Sequence, residues 1–440
     1  EPDSNVNISY DGLGYGASNN SDELIFNTNT VDGISIVCFN EYPVDTSLES
    51  IWSDGEWSKG IPNAQMSAVI DADYNTTALS GNMEAKDLTV ESGKTLDFDS
   101  GTTNNVIVHG DLTINGTFII GDNEALVMPN NSSNVTGNIT KKEKSTDRND
   151  LYDITYWSSP VISLDAQISN VFPGVNLNRI FYYDQSKSQA TAPSEPGYWD
   201  VWQLASGDMI AGKGYAAEGI DSSVHSIEFT GVPNNGDISV DVVYQDPGND
   251  FNLIGNPYPS AIDIGEFLTV NTNLYPKVHL WTHNTQINAQ GEFDVDDYAT
   301  INKAGDGIAA CGGCPIPDRY IGSGQGFFVE TTTNNGDGKV EFDNSMRVDE
   351  PNDQFFKASI SKSKKSFSET SKNNKIWLNL TTDKGGFNQI LIAFQKGFSN
   401  NGIDKGYDVL KFSGSSNPLQ FYSLENQSVS TEPLNFYCKR

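Results

Sequence analysis

The chain has 440 residues, of which 37% are hydrophobic, 11% aromatic and 19% charged, with 40 glycines. The aromatic share excludes a disordered chain, and so much glycine with so little charge excludes helical bundles and coiled coils. Twenty-seven basic against 58 acidic residues leave a net charge of -31, which excludes binding to phosphate backbones or anionic lipid and favours cations, Ca²⁺ first among them. No apolar run of about 18 residues exists to insert into a membrane as a helix. The length allows about two to four domains.

Residues 1–48 carry strand-like pieces, Glu23–Phe26 and Gly33–Cys38, and are expected to be the remnant of a preceding module or docking strands. The opening Glu1-Pro2-Asp3 is expected of a mature or excised form. Residues 49–145 alternate in short pairs: Leu88/Val90, Leu96/Phe98, Val106/Val108, Leu112/Ile114, Phe118/Ile120 and Leu126/Met128. One residue stands inside each pair, polar in Leu88/Val90, Leu96/Phe98 and Leu112/Ile114, and this spacing is the period-two signature of a strand with one buried face. Turn pieces such as Ser92-Gly93, His109-Gly110-Asp111 and Asn115-Gly116 separate them. Strands this short and frequent predict a β-solenoid, with a meandering antiparallel sheet as the alternative.

Residues 146–357 predict a larger β-sandwich, jelly-roll-like domain. Its strands include Tyr152–Trp157, Arg179–Tyr183, Tyr198–Gln203, Gly214–Glu218, Phe251–Ile254, Lys277–Thr282 and Gly326–Glu330. Only Ala261–Leu268 reads as helical. Residues 358–375 are a lysine- and serine-rich low-complexity loop. Residues 376–440 predict a partial C-terminal β module, with strands at Ile376–Leu380, Gln389–Phe394 and Gly406–Leu410. The fold class is therefore all-β throughout.

Several strings occur together: Trp52…Gly55-Glu-Trp57…Gly60-Ile-Pro62, Tyr156-Trp-Ser-Ser-Pro160, Asn256-Pro-Tyr-Pro-Ser260, Ile321-Gly-Ser-Gly-Gln-Gly326, Phe342-Asp-Asn-Ser-Met-Arg347 and Lys375-Ile-Trp-Leu-Asn-Leu380. In this order they resemble large surface proteins of Bacteroidetes, especially flavobacteria, exported by the type IX secretion system. The resemblance spans roughly residues 50–425 and lacks the C-terminal sorting domain such proteins carry. It implies an outer-surface location and a role as an adhesin or gliding-associated protein. Physically, the strings read as turns: each proline in Asn256–Ser260 fixes φ, and Gly322–Gly326 lacks the following helix and lysine of a phosphate loop.

Cys311-Gly-Gly-Cys314 is a CxxC followed by Pro315-Ile-Pro317, which forbids the helix a redox site needs. A local disulfide in an oxidising exterior is expected. Cys38 and Cys438 are left over, and sequence alone does not pair them. His279 and His283 lie four apart, but on a strand running into a turn rather than on a helix. No Gly-x-Ser-x-Gly elbow appears, and 58 acids offer too many carboxylate pairs to choose one for glycoside hydrolysis. No catalytic residue is assigned.

Calcium is the better-motivated ligand. Asp71, Asp73 and Asn75, and again Asp294, Asp296 and Asp297, place oxygen side chains so that they could converge on one hard cation; solvated acidic turns are the alternative. No organic cofactor is implied. Tyr198, Trp199 and Trp202 lie close together and could stack on sugar rings or pack in the core. The reading at this stage is a secreted, non-enzymatic surface protein acting in adhesion or surface assembly, including self-association into a fibre. Its partners would be surface glycans or other cell-surface proteins. The alternative is an extracellular polysaccharide-binding or polysaccharide-degrading protein.

Overall fold

Alternating short strands that share one apolar face bury that face most economically by coiling, and this chain coils. The computed structural model describes residues 48–75, 81–99, 104–145, 153–162, 167–187, 198–219, 226–244, 250–282, 297–312, 314–332, 338–349, 374–381, 387–394, 420–423 and 436–439. Its first strands are β1 (Glu49–Ser53), β2 (Glu56–Trp57), β3 (Ser67–Ile70), β4 (Tyr74–Asn75), β5 (Met83–Ala85), β6 (Leu88–Val90) and β7 (Thr95–Phe98). They continue as β8 (Val106–Val108), β9 (Leu112–Ile114), β10 (Thr117–Ile120), β11 (Leu126–Val127), β12 (Val135–Thr136) and β13 (Ile139–Lys144). From β3 onward successive strands fall on three faces in turn. One face stacks β3, β6, β9 and β12, the second β4, β7, β10 and β13, the third β5, β8 and β11. The pairing within each face is parallel. This is a solenoid, and the six apolar pairs are its rungs.

Parallel register puts like on like. Ala68, Leu88, Leu112 and Val135 form one column, Ile70, Val90 and Ile114 the next. Tyr74, Leu96 and Phe118 line the second face, and Met83, Val106 and Leu126 the third. Nearly all are fully buried, so each rung contributes about 1.5–3 kcal/mol per large side chain. Coils this close leave no room at some corners: a Cβ on Gly137, where φ is +84°, would lie 2.0 Å from the Ile114 carbonyl oxygen.

Open solenoid ends expose strand edges. Here β1 and β2 form a hairpin over the first coil, turned by Asp54 (φ 51°) and Gly55 (φ 87°), as a two-residue turn with two positive φ values requires. Trp52 packs edge-on against Trp57 and Tyr74, with ring centroids 5.5 and 5.0 Å away, and Tyr74 stacks on Phe98. The Trp52…Trp57 string is thus the lid of the solenoid. At the other end β13 pairs antiparallel along six residues with a strand of the next module, Ile139 opposite Gly231 through Lys144 opposite Ser226.

That module comprises β14 (Ile154–Trp157), β15 (Val161–Ile162), α1 (Ile168–Val171), β16 (Ile180–Tyr183), β17 (Trp202–Leu204), β18 (Tyr215–Glu218), β19 (Ser226–Pro233) and β20 (Ile238–Val242). It goes on with β21 (Phe251–Gly255), β22 (Ala261–Asp263), α2 (Ile264–Val270), β23 (Lys277–Trp281), β24 (Tyr298–Asn302), β25 (Gly307–Ile308), β26 (Tyr320–Ile321), β27 (Gly326–Glu330), β28 (Gly338–Phe342) and β29 (Arg347–Val348). A four-stranded sheet, β14-β18-β16-β17, faces a five-stranded sheet, β21-β27-β23-β24-β25. Phe328 of the second sheet meets Tyr156 and Tyr183 of the first at 5.5 and 5.1 Å between centroids. The far side of the five-stranded sheet packs on α2, β20 and β28 through Phe267, Phe327 and Phe342. With apolar neighbours on both faces, β23, β24 and β27 are buried at every position.

Two expectations need correction. Tyr198–Gln203 is not one strand: β16 ends at Tyr183, the Asp184 amide donates to the Val201 carbonyl, and Tyr198–Val201 forms a 3₁₀ turn before β17. The helix begins later than Ala261, because Asp263 caps it, its carboxylate accepting from the Gly265 and Glu266 amides. The strand expectations on residues 1–47 and on Gly406–Leu410 lie outside the described residues.

The C-terminal strands form two hairpins, β30 (Asn374–Thr381) with β31 (Phe387–Phe394) and β32 (Gln420–Ser423) with β33 (Phe436–Lys439). The first docks beside β25 through side chains. Lys375 pairs with Asp306, Trp377 Nε1 donates to the Gly307 carbonyl, and Gln389 Oε1 accepts from the Ala309 amide.

Candidate functional site

The residues most able to do chemistry meet between the two facing sheets. Alternation along β23 sends Lys277, His279 and Trp281 to the same side, and β27 sends Phe328 and Glu330 there too. One end of this face is aromatic: Tyr156, Trp202, Trp281, Tyr298 and Phe328 pack together, and the Tyr156 and Tyr298 hydroxyls share a 2.8 Å hydrogen bond. Burial holds both phenols above their ordinary range.

The other end is charged. Glu330 Oε1 lies 2.6 Å from Lys277 Nζ and 2.8 Å from His279 Nε2, and His279 Nδ1 lies 2.9 Å from Thr300 Oγ1. Burial alone would raise the Glu330 carboxyl, but the His279 hydrogen bond and the Lys277 charge reverse that and hold it low. Burial pushes His279 below the usual histidine value. Asp250, just before β21, is pushed up to about 6 by burial and then by the charge of Glu330. A hydroxyl, an imidazole and a carboxylate in a row have the connectivity of a nucleophile relay. Catalysis also needs access, and Thr300 and His279 are 2% and 0% exposed. What this arrangement does is satisfy polar side chains inside the sandwich, where an unpaired charge would cost several kcal/mol.

The predicted ligand residues fall elsewhere. Asp71 pairs with Lys94 at 3.7 Å, Asp73 Oδ1 accepts from the Thr95 amide at 2.9 Å, and Asn75 donates to Asp97 at 3.3 Å. The Asp73 bond belongs to a ladder in which a side chain of one coil accepts a backbone N–H of the next. Asn82 accepts from Asn105, Asn105 from Ala125, Asp87 from Asp111, and Asp111 from Asn134, all at 2.8–2.9 Å. Asp297 is buried just before β24, its carbonyl accepting from the Thr282 amide; Asp294 and Asp296 lie outside the described residues. The structure instead brings together Asp99, Asp122 and Glu124, with carboxylate oxygens within 4.8 Å of one another. Lys142 and Lys144 already pair with Asp99 and Asp122. The repeat would have found this group, because Phe98 and Ile120 are stacked partners.

Trp202 is partly buried, edge-on to Tyr183 at 5.1 Å and to Phe328 at 6.2 Å, so its ring joins the inter-sheet cluster. Tyr198 and Trp199 open the 3₁₀ turn before it. Cys311 and Cys314 are joined by a disulfide in the loop after β25, and Phe387 of the docked hairpin packs on the intervening Gly312. His283 lies outside the described residues, while His279 is held by Thr300 and Glu330. Sequence reasoning singled out His279 but missed Lys277, Glu330 and Asp250. The signal for Lys277 was the alternation of β23 itself; Glu330 is joined to it only by tertiary pairing.

Fold and site together define an all-β protein, a solenoid of about four coils leading into further sheets, with a closed polar core. A family model described as a domain of unknown function, DUF8693, matches residues 45–431, and the chain belongs to that family. No curated protein and no solved structure matches the chain.

Proposed function

We propose that this is a secreted, non-enzymatic surface protein of a bacterium, acting in adhesion or surface assembly and holding glycans or other surface proteins. The observation that supports this most is the joint between modules: the sheet of β4, β7, β10 and β13 continues without a break into β19 and β15 of the second module. The resemblance of the Trp52–Pro62, Tyr156–Pro160 and Asn256–Ser260 strings to type IX-secreted proteins supports the location. The acidic composition, with net charge -31, supports a soluble, mutually repelling surface layer.

The test is on intact cells. Gold-labelled antibody should decorate the exterior, and purified protein should retain cells or glycans on a coated surface with no turnover of polysaccharide. Reducing-sugar release that disappears on one Asp or Glu substitution would replace this reading with the polysaccharide-degrading one. Antibody reaching its target only after lysis would end both. Calcium belongs to the same proposal: excess chelator should lower the Tm, because a ligand bound only by the folded form stabilises it. An unchanged melting curve removes calcium from it.

A further inference from the structure

The strings Asn256–Ser260 and Phe342–Arg347, far apart in the chain, meet where the solenoid ends. Arg347 is buried there, its guanidinium 4.9 Å from the Tyr258 ring centre. Its Nη2 donates to the Leu126 carbonyl of β11 at 2.6 Å, Nη1 to Asn235 Oδ1 at 3.0 Å and Nε to Ser260 Oγ at 3.3 Å. All three acceptors are neutral, and among the described residues no carboxylate pairs with it. Around it, the Leu126 amide donates to the Pro259 carbonyl, Asn105 Nδ2 to the Asp349 carbonyl, the Asn344 amide to Asn131 Oδ1, and Asn235 Nδ2 to the Ser133 carbonyl. Asn235 Oδ1 also accepts from Asn344 Nδ2 at 2.7 Å. Every one of these bonds from solenoid to sandwich spans about a hundred residues or more of chain.

We infer that Arg347 is a latch. It closes the last solenoid coil onto the sandwich after the polypeptide has passed through the whole second module, and so makes two modules into one cooperative unit. The cation without a carboxylate partner is the reason to single it out. A buried guanidinium is costly unless its donors are used, and here they are used only when Leu126, Asn235 and Ser260 are all in place. The strand pair β13–β19 alone joins the modules along one face; the latch joins them along a second, at β11. The inference is independent of the surface function proposed above.

The test compares the wild-type chain with Arg347→Met, which keeps the bulk and removes the donors, and Asn235→Ala, a milder cut at the same node. In calorimetry the wild type should melt in one transition. Each variant should melt in two, or expose the solenoid first. Exchange of the Leu126 amide hydrogen should speed up by about tenfold or more while the Val278 amide inside the sandwich keeps its protection. A single transition in both variants, with Leu126 and Val278 losing protection equally, would reduce Arg347 to an ordinary stabilising residue and overturn the inference. So would two transitions in the wild type. If Arg347→Met does not fold, Asn235→Ala decides by the same readings.

Discussion

Asp87 shows how this chain spends its acidic residues. Its carboxylate accepts from the Asp111 amide one coil away and from the Ser67 hydroxyl, while Lys86 lies 3.3 Å off. Burial pushes its pKa up, and these partners more than offset that, so it sits below the usual carboxylate range. Stability from Asp87 is therefore present at neutral pH and lost as pH falls through the lowered value. Asp87→Ala should cost about 1–2 kcal/mol in a urea melt, one charge-assisted hydrogen bond's worth. Glu330 is a different case. Glu330→Ala removes the carboxylate that Lys277 and His279 share and should cost about 3–5 kcal/mol by the same measurement. Asp250 runs opposite to Asp87: with its folded pKa raised from 3.8 to about 6, stability falls as pH rises between those two values. Asp250→Asn should thus be more stable than wild type by about 1 kcal/mol at about pH 7.5, and the gap should close only as pH falls below about 4, as paired thermal melts would show.

Elements were legible where period and turn chemistry agreed. All six apolar pairs between Leu88 and Met128 are rungs, because a solenoid strand needs only one buried face and the next turn residue. Phe118→Ala, in the middle of a column, should lower the denaturation midpoint by an amount worth about 3–5 kcal/mol. The Asp and Asn residues between rungs were legible as oxygen donors but not in their use. Donation by a backbone N–H one coil on is a contact about two dozen residues distant, and local spacing does not encode it. The charged cluster was hidden for the same reason, since Lys277 and Glu330 share a face only once β23 and β27 are neighbours. Tyr198–Val201 forms a 3₁₀ turn rather than a strand, which composition does not reveal.

At the scale of the whole molecule, the Trp, Asn-Pro-Tyr-Pro and Asp-Asn-Ser-Met-Arg strings fall into place as one set of fittings: a lid at the start of the solenoid and a lock at its end. Between lid and lock the coils repeat one strand register. Val90 and Ile114 are stacked partners, so excising Glu91–Ile114 would join Val90 to Asn115 with every remaining column still aligned. Such a shortened chain should still fold and melt cooperatively, as calorimetry would show, and an added copy of the same stretch should do likewise. Each coil changes the height by about 4.8 Å, the spacing of neighbouring strands. The middle of this protein is in effect an adjustable spacer, whose reach evolution or an engineer could set in equal steps without redesigning either terminus.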